Sequence, residues 1–162
     1  MQGTLAIAAE RPDQPDVVAL LARLDDYLAG LYAPEDNHIL SPAQLLSPQV
    51  HFVVARVGGR AVGCGAVRRM PGEPATGGQP YGEVKRMVVD EAYRGRRIGA
   101  RLLATLEEGL RGEGIGWALL ETGRDQHQAL RLYRRAGYAP RAPFGGYPDN
   151  GLSVFMHKRL AP

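Results

Sequence analysis

The residues best suited to chemistry lie in one short stretch, Asp90-Glu91-Ala92-Tyr93-Arg94-Gly95-Arg96-Arg97-Ile98-Gly99-Ala100. Three arginines and two glycines stand here between an apolar strand pattern and an amphipathic helix pattern. A helix N-terminus offers unpaired N–H groups and about half a positive charge, which suits a phosphate. Gly95 permits a tight turn, and Gly99 lets the helix backbone approach a ligand closely. Charge is distributed to match. Residues 1–50 carry seven Asp/Glu against two arginines, whereas residues 85–141 carry twelve Lys/Arg against seven Asp/Glu. The positive charge is gathered in one region, as expected for a site that takes a phosphorylated ligand. The other glycine cluster, Gly112-Glu113-Gly114-Ile115-Gly116, ends a helix pattern and precedes a strand, so it reads as a helix stop and turn. No Gly-Lys-Ser/Thr follows either cluster, which excludes a Walker A loop.

The elements that must position this stretch follow from periodicity. Residues 5–8 form a short strand, and 16–30 have helical spacing (Val17, Leu20, Leu21, Leu24, Leu28) with Asp16 as the expected N-cap. Residues 32–48 carry three prolines and read as a loop with a short helix near 43–46. The apolar runs 50–57 and 61–69, joined by Gly58-Gly59, predict a hairpin. A loop over 71–80 leads to a strand over 83–89. Residues 98–111 then form a helix with Ile98, Leu102, Leu103, Leu106 and Leu110 on one face. A strand over 117–121, a helix over 126–136 stopped by Gly137, and a last strand over 152–156 complete the chain. This is a mixed α+β domain around a central sheet, with helix starts at 98 and 126 facing its carboxyl edge.

Two segments, in this order, resemble a known family. Arg94-Gly95-Arg96-Arg97-Ile98-Gly99 resembles the R/Q-x-x-G-x-G/A pyrophosphate loop of the GNAT N-acetyltransferases, and follows a strand, Val84-Lys85-Arg86-Met87-Val88-Val89, similar to theirs. Gln126-His127-Gln128-Ala129-Leu130-Arg131-Leu132-Tyr133-Arg134-Arg135-Ala136-Gly137-Tyr138 resembles the N-x-x-A-x-x-L-Y-x-x-x-G-F segment. Gln126 replaces the usual Asn, Tyr138 the usual Phe, and Arg97 the middle glycine of the loop. The last change keeps a backbone N–H but requires the arginine side chain to point away. The resemblance covers residues 83–138; the first 50 match only in element order.

The resemblance implies a GNAT-like fold, a mostly antiparallel sheet with splayed strands and flanking helices, and an acetyl group moved from acetyl-CoA to an amine by direct transfer in a ternary complex. It places the pyrophosphate on Arg94, Gly95, Arg96, Arg97, Ile98, Gly99 and Ala100, with Gln126 and Tyr133 beside the cofactor. The backbone of Met87, Val88 and Val89 would line the pantetheine arm. Such a transfer needs a neutral amine, a donor for the developing oxyanion and a proton for the departing thiolate. Tyr133 aligns with the tyrosine that serves the sulfur; its bland role is an aromatic on the inner helix face. Glu83 stands where the histone-acetylating branch has its catalytic glutamate. A carboxylate beside an apolar strand can act as general base, although Lys85 on the same face would oppose this and would suit a plain ion pair. Tyr32, His38 and Tyr147, in segments the motifs leave unused, are the expected acceptor contacts, and should meet beside Glu83. His127 and His157 are expected to be bystanders.

The remainder bounds these readings. The 162 residues are 44% hydrophobic and 23% charged, as in an ordinary globular protein, and residues 1–162 are read as a single domain. Cys64, the one cysteine, lies in an apolar run and is read as buried filler in a reducing compartment. No apolar run is long enough for a membrane span. A cytoplasmic protein without membrane or nucleic-acid partners is expected, acting on a small-molecule or peptide amine, with a homodimer left open. No His/Cys/carboxylate cluster has metal spacing, so no metal is expected. Three rival readings stay open: O-acetylation or a longer acyl group, a non-catalytic acyl-CoA-binding module, and a nucleic-acid binder using the arginines. The last would show a steep salt dependence.

Overall fold

The computed structural model describes residues 3–161. After strand β1 (Leu5–Ala9), helix α1 runs Pro15–Leu31 with Gln14 as its N-cap, two residues earlier than the sequence suggested. Pro15 opens the helix because its fixed φ and missing N–H suit the first turn. Asp16 therefore sits inside that turn, where its Oδ1 accepts from the N–H of Val17 at 2.9 Å. The proline-rich stretch holds a short α2 (Pro42–Leu45), started by a capping box between Ser41 and Gln44. Strands β2 (Val50–Val57) and β3 (Arg60–Met70) form the expected hairpin. Gly58 and Gly59 have φ of +57° and +82°, the pair of left-handed residues that a type I′ turn requires.

Strand β4 (Tyr81–Val89) starts two residues before the apolar run had indicated and leads through the arginine-rich turn into α3 (Ile98–Gly112). Strand β5 (Trp117–Gly123), helix α4 (His127–Arg135), a short β6 (Ala139–Arg141) and β7 (Ser153–Arg159) follow. The last strand is longer and later than periodicity placed it. Among the described residues seven strands form one sheet, in the order β1-β2-β3-β4-β5-β7-β6. Strands β1 and β2, β5 and β7, and β6 and β7 pair antiparallel; β4 and β5 run parallel, in register at Gly82↔Ala118 and Glu83↔Leu119.

Backbone contacts divide the chain into two compact units. One holds the residues up to Val67 together with Lys85–Leu106. Its core joins Val17, Leu20 and Leu21 of α1 to Leu45, Phe52, Val54, Ala61, Cys64 and Ala66. Gly63 of β3 would bring a Cβ to 3.0 Å from the carbonyl oxygen of Val88 and 3.2 Å from Leu102, so only glycine allows that approach. The other unit holds Arg68–Val84 and the residues from Glu107 onward. It is built on aromatic rings. Phe144 meets Tyr81, Tyr147 and Phe155 edge-on, with centroids 5.9, 5.6 and 5.8 Å away.

Candidate active site

The turn before α3 is a cradle of backbone N–H groups. Gly95 and Arg97 both lie in the left-handed region, at φ of +82° and +61°. Left-handed residues among ordinary ones turn successive N–H groups toward one side, the arrangement that receives anions. The carbonyl of Arg97 accepts from the N–H of Arg101 at 3.1 Å, so the helix proper starts after Arg97. The N–H groups of Ile98, Gly99 and Ala100 accordingly have no partner within the helix. Ile98 is buried and anchors the first turn, while Arg94, Arg96 and Arg97 are exposed. Beside the loop, a cavity of about 470 Å³ is lined by Arg60, Tyr93 and Arg96 among others. The Arg96 guanidinium lies 4.9 Å from the Tyr93 ring centroid, a cation held over an aromatic face.

Asp90 ties the cradle to its strand. Its Oδ1 accepts from the N–H of Ala92 at 3.0 Å, and its Oδ2 faces Arg23 at 3.0 Å and Arg60 at 3.5 Å. The Ala92 N–H, with the two guanidiniums, holds this carboxyl below its ordinary range. Upstream, Arg86 has φ of +59° in the middle of β4, a left-handed residue that kinks the strand as a bulge does. Its buried guanidinium bonds Asp25 at 2.6 Å, and its carbonyl accepts from the Cys64 thiol at 3.7 Å. Met87, Val88 and Val89, just past this kink, are half-buried.

Glu83 is 1% exposed. Arg68 on β3 donates from Nη2 to its Oε1 at 2.9 Å, and the Tyr147 hydroxyl donates to its Oε2. Arg68 is thus a cation on Glu83 that the sequence did not indicate. Lys85 donates from Nζ to the carbonyl of His38 at 3.0 Å. Burial and the neighbouring Glu83 charge push the Tyr147 phenol well up, which keeps the hydroxyl protonated and donating.

Tyr133 lies on the inner face of α4, 7% exposed, its ring edge-on to Tyr138 at 5.9 Å. Burial alone pushes its phenol well above the ordinary value, and among the described residues none hydrogen-bonds its hydroxyl. The neutral form is therefore favoured, and the hydroxyl keeps its proton. The ring is held from the other side. The Tyr138 hydroxyl donates to Glu107 Oε2 at 2.9 Å, and Lys158 Nζ meets Oε1 at 2.8 Å. Gln126 is the N-cap of α4, without a side-chain capping bond.

Of the three expected acceptor residues, Tyr147 reaches Glu83. His38 offers its backbone to Lys85, and half-buried Tyr32 closes α1, its N–H donating to the Leu28 carbonyl at 2.9 Å. His127 is exposed; His157 stacks on Trp117 with centroids 5.6 Å apart. Sequence reading missed Arg68, the left-handed Arg86, and the Tyr138–Glu107–Lys158 network. Arg68 was within reach, because a β3–β4 hairpin must bring the end of β3 opposite the start of β4. Among the described residues no group of three or more His, Cys, Asp or Glu could hold a metal, and no helix is long and apolar enough to cross a membrane.

The chain is similar to known proteins in sequence and in fold. The model of the acetyltransferase (GNAT) family matches residues 17–138. An "IAA acetyltransferase" of Azospirillum brasilense is 46% identical over 156 residues, spanning 96% of this chain and 98% of that protein. A Klebsiella pneumoniae protein described as an acyl-CoA N-acyltransferase is 36% identical, with a TM-score of 0.77 over 98% of this chain and 99% of its own. The paia N-acetyltransferase of Thermoplasma acidophilum, solved in complex with coenzyme A, shares the fold at 17% identity, with a TM-score of 0.75 over 96% of this chain and 99% of its own.

Proposed function

Because the chain belongs to the acetyltransferase (GNAT) family, we propose that residues 1–162 act as one domain that transfers an acetyl group from acetyl-CoA to an amine, directly, in a ternary complex. The observation that carries the reading is the pair of left-handed residues, Gly95 and Arg97, at the start of α3. Left-handed residues there can turn successive N–H groups toward one side, which supports a pyrophosphate site. In this reading the N–H groups of residues 94–100 bind the pyrophosphate, with the arginines neutralising its charge. Gln126 stands beside the cofactor. The backbone of residues 87–89 lines the pantetheine arm and offers an N–H to the thioester oxygen as negative charge develops there.

The amine nitrogen bonds to the acetyl carbon, and the carbon–sulfur bond then breaks. Tyr133 gives its hydroxyl proton to the departing sulfur, and Glu83 takes the proton that leaves the nitrogen. Tyr147 orients that carboxylate, while Tyr32 and His38 contact the acceptor. The setting is the cytoplasm, and no metal takes part.

Melting with and without acetyl-CoA tests the reading. A ligand that binds only the folded chain adds about 2.7 kcal/mol of stability at a hundredfold excess over its Kd. Gly99→Asp should abolish most of the shift, because a carboxylate there repels and blocks the pyrophosphate. A wild-type melting temperature that acetyl-CoA does not move would sink the proposal.

A further inference from the structure

Two neighbouring arginines end β3, and their hydrogen bonding differs sharply. Arg69 grips Glu113 with a two-pronged contact, Nε to Oε1 at 2.8 Å and Nη2 to the same carboxylate. Among the described residues Arg68 makes a single hydrogen bond, from Nη2 to Glu83. Its Nε is buried with no partner, yet its side chain keeps 32% of its surface exposed. A buried donor of a charged group left unpaired is unfavourable, so such a group is retained where something else fills it. Arg86 also has an unpartnered Nε, but its side chain is only 3% exposed and is spent on Asp25 and the Leu21 carbonyl, so no ligand reaches it. Arg141, which shares a unit with Arg68, is committed to the carbonyls of Ala75 and Ala142. Arg68 is the arginine of this unit that is both reachable and under-used beside Glu83.

We propose that the acceptor is an amine that also carries a carboxylate, that is, an amino acid, and that Arg68 reads the carboxylate. The inference rests on the amine-acetylation reading above. The Arg68–Glu83 pair is a fixed dipole, cation toward the exposed side and anion 2.9 Å behind it. A molecule with an amine and a carboxylate a few ångströms apart lies along that dipole with both ends matched. Its nitrogen then sits at Glu83, the group that takes the proton, and its carboxylate at the guanidinium. A planar monoanion suits the guanidinium edge, whereas a phosphate dianion would face Glu83 at close range. A diamine would bring its second cation against Arg68. The aromatic groups of Tyr81, Phe144 and Tyr147 provide apolar walls nearby, which strengthen charge pairing by keeping water away.

The test compares matched acceptors: an α-amino acid, its primary amide, the corresponding amine without the carboxyl, and 1,4-diaminobutane. Thiol release from acetyl-CoA and the mass of the acetylated product are followed, and kcat/KM is expressed per neutral amine. Wild-type protein should favour the amino acid by roughly 10–100-fold, the size of a hydrogen bond to a charged group. In Arg68→Gln the preference should shrink to within about twofold even if overall turnover falls, and Arg68→Lys should retain part of it. Equal use of the amide or plain amine by the wild type would overturn the inference while leaving acetyl transfer to amines standing. So would a preference that survives Arg68→Gln. If Arg68→Gln does not fold, the wild-type comparison decides alone. If acetyl-CoA shifts the melting temperature but none of these four compounds is acetylated, the amino-acid inference falls, and a wider amine panel then judges the transfer reading.

Discussion

At the scale of single residues, Tyr133 carries the sharpest prediction, because its packing and its hydroxyl can be separated. The ring is buried against Tyr138, while its hydroxyl bonds no described residue. Tyr133→Phe therefore keeps the packing and should leave the melting temperature and acetyl-CoA affinity unchanged. Turnover should fall by roughly 10²–10⁴-fold, the usual contribution of a positioned acid. A variant with full activity would return Tyr133 to a purely structural role. Tyr133 and Glu83 could be singled out from sequence because their spacing from the loop matches a family pattern. Their surroundings could not. Arg68 stands 15 positions before Glu83 and Tyr147 stands 64 after it, and linear order carries no trace of such partners. Strand alternation offers only neighbours on the same strand, such as Lys85, and says nothing of a partner that comes from β3.

At the scale of elements, the turn from β4 into α3 combines a legible part with a hidden one. Its strand, glycines and amphipathic helix were readable, since apolar period and turn chemistry are local properties. The left-handed backbone of Arg97 was not, although the family's glycine at that position is its trace. A non-glycine residue in that region is strained by roughly 1–2 kcal/mol, and glycine loses about 0.5–1 kcal/mol through its freer unfolded chain. Arg97→Gly should therefore stabilise the protein by about 0.5–1 kcal/mol, raising the melting temperature by about 1–4 °C at this chain length. Acetyl-CoA affinity should fall only modestly, because the backbone N–H remains. Arg97→Val should lose both stability and affinity, since a β-branched residue tolerates this conformation worst. A melting temperature lowered by the glycine would show that the arginine side chain makes a contact worth more than the strain. The capping box of α2 and the short β6 were missed for a plainer reason: elements of four and three residues carry too little periodicity to register.

At the scale of the whole molecule, acid should find the unit that carries the arginine-rich turn before α3. Hydrogen bonds from Arg56 hold Glu10 and Asp16 below their ordinary range, and the Ala92 N–H does so first for Asp90. A carboxyl depressed on folding contributes stability above its unfolded value, near 4, and loses it as pH falls through the folded value. Melting temperature should hold between pH 7 and about 5 and then drop. Asp90→Asn should lower it at neutral pH and flatten the acid slope; an unchanged slope would show that the Arg23–Asp90–Arg60 group is unimportant. The division into two contact units was also hidden from sequence, since β4 and α3 each run through the division without any break in pattern. Cys64 gives this protein a built-in clock. It is the one cysteine, it has no exposed surface, and burial pushes its thiol up to about 12. A sulfur that is neither ionised nor reachable is silent toward disulfide reagents. Native protein should yield no coloured product with an aromatic disulfide, and unfolded protein should yield one equivalent. Sulfhydryl colour in a reaction mixture then counts released coenzyme alone. In its absence, the slow rise toward one equivalent times how often β3 comes open, and a full equivalent within the mixing time would show that it is never closed.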